Sequence, residues 1–178
     1  GALAGLMMIL VGGMVPSGIL LPTLNNPTRI LDLPTSWQVP SLLLCALMCG
    51  PRSAIMASIA YLTIGLFYIP IFQNGGLINY LNDPSFGYLI GFIPAGWLTG
   101  RLSRQRGMNN LILLTLSALA GLVLLHGCGV LNLIHGSLLG RWDYSFGEML
   151  FSYSFAQLPG QIVLCPAVGI LAICIRRI

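Results

Sequence analysis

The chain contains no lysine and few charged residues of any kind. Eight arginines and four acids supply its whole ionic complement, so charged residues make up only 7% of the 178 positions. A soluble domain of this size carries about a quarter charged residues. The composition therefore argues against a soluble globule, and the net charge of +4 is too small and too scattered to indicate nucleic acid as a partner.

The missing lysine also excludes one kind of nucleotide site. A phosphate-binding loop of the GxxxxGK[ST] type needs a lysine to reach the phosphates, and the chain has no such segment. The chain is therefore not expected to hydrolyse ATP itself. Any energy from ATP would reach it through partner proteins.

Cysteine and histidine are too sparse to indicate a reactive centre. The five cysteines show no CxxC or Cys/His spacing, which argues against a disulfide framework and against a metal site. His126 has no acidic neighbour, while His135 and Ser137 lie too close in sequence to face one another on a helix. We therefore expect no catalytic residue, no metal and no cofactor.

Long apolar segments make up most of the chain. Hydrophobic residues account for 56% of it, and the mean hydropathy is +0.89. A helix needs about 20 apolar residues to cross a bilayer. The sequence therefore predicts an all-α membrane protein formed by a single transmembrane domain, residues 1–178, embedded in the lipid bilayer. Its six predicted transmembrane helices are residues 2–21, 37–49, 53–72, 85–102, 109–139 and 146–175.

The arginines orient this six-helix map. Alternating spans place six arginines on one side of the membrane and only Arg29 and Arg141 on the other, together with all four acids. Cytoplasmic loops carry the excess of basic residues. We therefore expect a multi-pass protein of the cell (inner) membrane whose N- and C-termini are both cytoplasmic.

Two long polar segments fall on the outer side of this map. Residues 22–34 and 73–84 are rich in proline, glycine and asparagine, and loops of that length are uncommon unless they are functional or disordered. Their amides supply neutral donors and acceptors, which suit an uncharged polar group such as a cyclic urea. The alternative is that these amides are solvated turn residues.

Several short motifs give the chain a resemblance to a known family. In order, the motifs are Pro34-Thr-Ser-Trp-Gln38, Gly50-Pro-Arg52, Tyr61-Leu-Thr-Ile-Gly65, Pro70-Ile-Phe72, Gly75-Gly76 and Pro84-Ser-Phe-Gly-Tyr-Leu-Ile-Gly-Phe92. Their order and spacing resemble the BioY family, the biotin-specific S components of energy-coupling factor (ECF) vitamin transporters. The match is densest over residues 34–101 and continues more weakly through residues 127–131 and 159–160.

The resemblance implies a fold, a function and a set of partners. It implies six helices, an outward-facing pocket capped by extracellular loops, and docking onto a transmembrane coupling protein and two ATPase subunits. The implied function is capture of biotin on the extracellular side and its delivery through an ATP-driven ECF-type transporter, without enzymatic chemistry. The alternatives are an S component for a related vitamin or small polar heterocycle, and a membrane-embedded enzyme.

The sequence departs from the resembled family near the start of the last helix. Family members carry Pro-Gly-Asp there, followed three residues later by a lysine, and the resemblance implies that residues at these two positions contact the ligand. This chain reads Pro159-Gly160-Gln161, and Leu164 takes the lysine position. Losing both charges together leaves no buried ion unpaired. Gln161 can still pair with a ureido ring, but the carboxylate of biotin loses a candidate cation.

Amide and aromatic side chains are the predicted ligand contacts. Gln38, Asn74 and Gln161 are expected to hold the polar ring of the ligand, and Tyr88 is expected to pack on that ring. Further candidates for aromatic packing are Trp37, Tyr61 and Phe86. For Trp37, the alternative is a residue of the interfacial aromatic belt.

Arg29 and Arg141 are the two candidate cations for a ligand carboxylate. Both lie in segments that the map places outside, and arginine binds carboxylates through two parallel hydrogen bonds. The alternative for each is a surface arginine whose head reaches the lipid headgroups. Arg29 is the predicted binding residue, because it lies in the first outer loop.

Overall fold

A computed structural model describes residues 1–21, 29–68, 78–108 and 110–176, and within them every side chain other than those of residues 19–21, 29–34 and 78–79. The helices in these ranges are α1 (Ala2–Met14), α2 (Gln38–Cys49), α3 (Pro51–Phe67), α4 (Phe86–Ile90), α5 (Phe92–Leu102), α6 (Leu111–Leu138), α7 (Phe146–Leu150) and α8 (Leu158–Arg176). A 3-10 helix, Ile78–Asn82, precedes α4, and a π-helical segment, Phe151–Phe155, joins α7 to α8. The predicted helical class is confirmed.

Two helical segments are long and apolar enough to cross a bilayer by themselves. Leu111–Leu138 and Phe146–Arg176 both reach a mean hydropathy of 2.2. Ala2–Met14, Gln38–Cys49 and Pro51–Phe67 are apolar but shorter. The described helices therefore overlap all six predicted spans, while the number of membrane crossings stays a prediction.

The first predicted span ends earlier than expected. α1 stops at Met14 because Val15 precedes Pro16, and the residue before a proline avoids the helical region. The chain continues as β1 (Pro16–Leu21), which pairs antiparallel with β2 (Arg29–Ser36). The prediction of a longer first span followed by an irregular loop is therefore wrong where these strands form. The sheet leads directly into α2.

A proline interrupts the fourth predicted span. Pro94 has no N–H, and a proline ring inside a helix clashes with the carbonyl four residues earlier, here that of Ile90. α4 accordingly ends at Ile90, and α5 begins at Phe92 after Gly91. A Cβ at Gly91 would lie 2.9 Å from the Leu125 carbonyl oxygen, so this glycine also lets α4 approach α6 closely.

Arginines satisfy free carbonyls at one end of α2. Arg104 Nη2 donates to the carbonyl oxygen of Cys49 at 2.9 Å. Arg176 Nη2 donates to that of Leu47 at 2.6 Å, and its Nη1 donates to that of Met108 at 2.9 Å. The last carbonyls of a helix have no partner within it. These contacts therefore tie α8 and the turn after α5 to the C-terminal end of α2.

Candidate ligand-binding pocket

A cavity of about 390 Å³ lies at the N-terminal end of α2. Pockets for small molecules typically measure about 300–1,000 Å³, so this cavity can hold one such molecule. Eleven of the described helices and strands contribute to the wall, among them both strands, the 3-10 helix and the start of α8. The lining residues are Gly13, Met14, Pro16, Thr35, Ser36, Gln38, Val39, Tyr61, Tyr80, Ser85, Tyr88, Leu89, Phe92, Leu125, His126, Tyr153, Gln157 and Gln161.

Buried polar side chains form a chain of hydrogen bonds across this wall. The Tyr88 hydroxyl and Ser154 Oγ are 2.6 Å apart, and Ser154 Oγ lies 3.4 Å from His126 Nδ1. His126 Nε2 lies 2.8 Å from Gln161 Oε1, and Gln161 Nε2 donates to Thr35 Oγ1 at 3.3 Å. The chain therefore connects α4, the π-helical segment, α6, α8 and β2.

Gln161 is the most connected residue of this set. Its side chain is only 4% exposed, and its Nε2 also lies 3.5 Å from Gln157 Oε1. A buried amide that lost these partners would carry the full cost of desolvation. The contacts therefore hold the Gln161 amide in place beside the cavity.

Two smaller groups of polar contacts complete the wall. Gln38 Nε2 donates to the Tyr61 hydroxyl at 2.7 Å. The hydroxyls of Tyr80 and Ser85 are hydrogen-bonded, and Ser85 Oγ donates to Asp83 Oδ1 at 2.5 Å. Burial raises the pKa of Tyr80 to about 12. This phenol is therefore neutral at physiological pH and keeps its hydrogen.

The ring of Tyr88 forms the central aromatic surface of the pocket. It packs edge-on against the His126 ring at 5.5 Å and stacks with the Tyr153 ring at 6.2 Å. A Cβ at Gly129 would lie 2.3 Å from two carbon atoms of the Tyr88 ring. The missing side chain of Gly129 therefore creates the space that the ring occupies.

The wall is electrically neutral in the part of the chain that the structure describes. The lining residues there include amides, hydroxyls, phenols and one imidazole, and no lysine, arginine, aspartate or glutamate. Within the same ranges, no group of three or more His, Cys, Asp or Glu residues could hold a metal ion. Neutral donors and acceptors of this kind can pair with the uncharged polar groups of a ligand.

The structure brings together four of the predicted site residues. Gln38, Tyr61, Tyr88 and Gln161 all line the cavity, although they are far apart in sequence. Asn74 lies outside the described residues, as does the side chain of Arg29. For these two residues the assignment stays a prediction.

Trp37 and Phe86 do not lie among the lining residues of this cavity. Trp37 borders a separate apolar groove beside α1 and α2. Phe86 packs edge-on against the Tyr80 ring at 6.4 Å, so it contacts the pocket through Tyr80. For both residues, contact with the ligand stays a prediction.

The sequence motifs do not point to most of the polar residues on α6, the π-helical segment and α8. The sequence raises His126 only as a catalytic candidate, and its motifs indicate no role for Ser154 or Gln157. A signal for the last two exists, because Ser154, Gln157 and Gln161 recur three and four residues apart, which puts them on one face of a helix. No comparable signal points from His126 to its partners.

Comparison with known proteins identifies a family and individual relatives that match this chain. The family model for the BioY family matches residues 2–178. A protein of Cyanophora paradoxa, named as an uncharacterized 21.2 kDa protein in the psbX-ycf33 intergenic region, is 32% identical over 151 residues, or 85% of this chain and 78% of its own length. A probable biotin transporter BioY of Lysinibacillus sphaericus is 37% identical over 68 residues, or 38% of this chain and 35% of its own length.

A solved structure has the same fold. The crystal structure at 2.1 Å of the S-component for biotin from an ECF-type ABC transporter matches with a TM-score of 0.74. The match covers 98% of this chain and 87% of that chain at 18% identity. At this level of identity the likeness concerns the arrangement of the helices and not the ligand.

Proposed function

Since this chain belongs to the BioY family, we propose that it is the biotin-binding membrane subunit of a vitamin uptake system. It is an integral membrane transport protein and not an enzyme. In the proposal, the chain captures biotin on the extracellular side and delivers it through an ATP-driven ECF-type transporter. A relative named as a probable biotin transporter supports the choice of ligand.

The neutral, hydrogen-bonded cavity is the observation that carries this proposal. A cyclic urea presents two N–H donors and one carbonyl acceptor, and amides can pair with both kinds of group. We assign the ureido ring to Gln38 and Gln161, with Tyr88 against its face. Asn74 is a third amide for the ring, and Arg29 is the proposed partner of the carboxylate.

We infer that the cavity opens on the extracellular side. α2 begins at Gln38 in the pocket wall and ends at Cys49, whose carbonyl oxygen accepts a hydrogen bond from Arg104. The arginine-rich end of the bundle and the pocket are therefore at opposite ends of one helix. Because basic residues are enriched on the cytoplasmic side, the pocket end belongs outside.

This orientation predicts opposite labelling of two exposed positions. In a cysteine-free background, Asn82→Cys should react with a membrane-impermeant maleimide on intact cells, and Gln105→Cys should react only after permeabilisation. Both side chains are exposed, and they lie at the pocket end and the arginine end, respectively. Equal labelling of both positions from outside would contradict the orientation.

We propose further that a transmembrane coupling protein and two ATPase subunits supply the energy. The chain has no phosphate-binding loop of its own, and the matched S-component comes from an ECF-type ABC transporter. Capture and energisation are thus divided between subunits. The isolated chain should therefore bind its ligand without nucleotide.

Calorimetric titration of the purified chain in detergent tests the function. We expect saturable binding of one biotin per chain in the absence of ATP. Lipoic acid, which has a carboxylate tail but no ureido N–H groups, is the matched control and should not bind. Absence of biotin binding would refute the assignment, and binding that requires ATP would refute the division of labour.

An S component for a related, uncharged heterocycle is the second candidate. It is favoured by the neutral wall and by Leu164, which is buried where the resembled family has a lysine. Biotinamide, whose tail is uncharged, separates the two candidates in the same titration. Tighter binding of biotin than of biotinamide would show that a cation such as Arg29 meets the carboxylate, and the reverse order would favour an uncharged ligand.

A further inference from the structure

His126 lies in the pocket wall, and both of its ring nitrogens have partners. Its side chain is buried, with Nε2 at 2.8 Å from Gln161 Oε1 and Nδ1 at 3.4 Å from Ser154 Oγ. A neutral imidazole donates from one nitrogen and accepts at the other. Its tautomer therefore decides the direction of every hydrogen bond in the chain from α4 to β2.

The two ends of the chain of hydrogen bonds fix that direction. Either hydroxyl of the Tyr88–Ser154 pair can donate by geometry. Because a phenol is the stronger donor, we assign the donor role to Tyr88, which leaves the Ser154 hydrogen for His126 Nδ1. At the other end, Thr35 gives its hydrogen to the Ser36 carbonyl oxygen and accepts from Gln161 Nε2. With these assignments, both ends are consistent with an imidazole hydrogen on Nε2.

We propose that His126 is a positioning residue for Gln161. In its Nε2–H form, His126 donates to Gln161 Oε1 and so holds the amide oxygen toward α6 and the amide nitrogen toward β2. Both ring nitrogens of His126 have protein partners, so His126 acts on the polar groups of the ligand through Gln161. The inference deepens the proposed function, because it rests on Gln161 as a contact of the ureido ring.

The same direction of hydrogen bonding determines which ligand group can pair with the Tyr88 oxygen. Tyr88 commits its hydrogen to Ser154, so its oxygen can meet the ligand only as an acceptor. A head group with N–H donors, such as a cyclic urea, satisfies that oxygen. A ring with acceptors alone does not.

The tautomer can be measured without any ligand. The chain has two histidines, so ¹⁵N-histidine labelling gives two imidazole systems, and the His126→Gln variant assigns them. Long-range proton–nitrogen coupling patterns should place the His126 hydrogen on Nε2. An Nδ1–H form, or a doubly protonated ring, would overturn the proposal whether or not biotin binds.

Two substitutions of His126 test the roles of its two ring nitrogens separately. The Nε2 of a glutamine side chain reaches about as far as His126 Nε2, whereas an asparagine amide reaches only to the position of Nδ1. We expect His126→Gln to keep biotin affinity within about threefold and His126→Asn to lose about tenfold, a difference of about 1.4 kcal/mol. Equal losses in both variants, with matching unfolding temperatures, would assign His126 a structural role only.

A double-mutant cycle tests whether His126 acts through Gln161. His126→Leu should lower biotin affinity by about tenfold in the wild-type background and by less than about twofold in a Gln161→Leu background. Additive losses would show that His126 meets the ligand independently and would overturn the positioning role. Failure of the wild-type chain to bind biotin would instead refute the proposed function, and the tautomer measurement would still decide the role of His126.

Discussion

Gln161→Leu is expected to lower the affinity for biotin by roughly 30- to 100-fold. A buried hydrogen bond contributes about 0.5–1.5 kcal/mol, and leaving a buried partner unpaired costs about 1–3 kcal/mol. Leucine removes the ligand contact and also leaves His126 Nε2 and Thr35 Oγ1 without Gln161. Together these effects amount to about 2–3 kcal/mol, and each 1.4 kcal/mol is a factor of ten. Calorimetry on the purified variant measures the change.

Companion variants test whether the loss of biotin affinity is specific to the pocket. Gln161→Ala should lose about tenfold or somewhat more, while Gln161→Asp should be tolerated if the acid of the resembled family has the same role. Gln105→Leu, which changes an exposed amide at the arginine end, should leave biotin affinity unchanged. Unchanged affinity in a folded Gln161→Ala variant would remove Gln161 from the site and weaken the case for biotin.

Gly129→Ala should also disable the pocket, although the substitution adds only a methyl group. The new Cβ would lie 2.3 Å from two carbon atoms of the Tyr88 ring, so the ring must leave its place. Overpacking of this kind costs about 1–3 kcal/mol, and moving Tyr88 also breaks its 2.6 Å hydrogen bond to Ser154. We expect biotin affinity to fall by roughly 10- to 100-fold, measured by the same titration.

The matched control lies on the same helix. A Cβ at Gly127 would meet nothing within 4 Å, so Gly127→Ala should leave affinity unchanged and should slightly raise the unfolding temperature, because alanine favours a helix over glycine. In a Tyr88→Leu background, Gly129→Ala should cause no further loss. Equal effects of the two glycine variants would show that the Tyr88 ring is not the cause.

The sequence predicted where helices form better than where they end. Apolar segments locate the described helices because each must bury its side chains in the bilayer or the bundle. Hydropathy does not distinguish an apolar strand from the end of an apolar helix, so the sequence predicts β1 as part of the first span. Pro16 and Pro94 indicate where the first helix ends and where the fourth span is interrupted. A proline disrupts a helix and disfavours the helical conformation at the residue before it.

Residues of the candidate site could be predicted from the sequence only where they lie in a short motif. Gln38, Tyr88 and Gln161 were found through short motifs that resemble a family, and all three line the cavity. His126 was not found, because its partners Ser154 and Gln161 are 28 and 35 residues away in sequence. The pairing depends on how α6 and α8 pack, and no property of the apolar residue pattern around His126 specifies it.

The bond between Thr35 and Gln161 has a consequence for biosynthesis. The two residues are 126 positions apart, and a chain is synthesised from its N-terminus, so β2 and α6 reach the membrane well before α8. Until α8 is inserted, His126 lacks its strongest partner, and an unpaired polar group in an apolar medium costs several kcal/mol. The proposed biotin pocket is thus completed late in translation, and a nascent chain that ends before residue 161 lacks the Gln161 amide that joins α6 to β2.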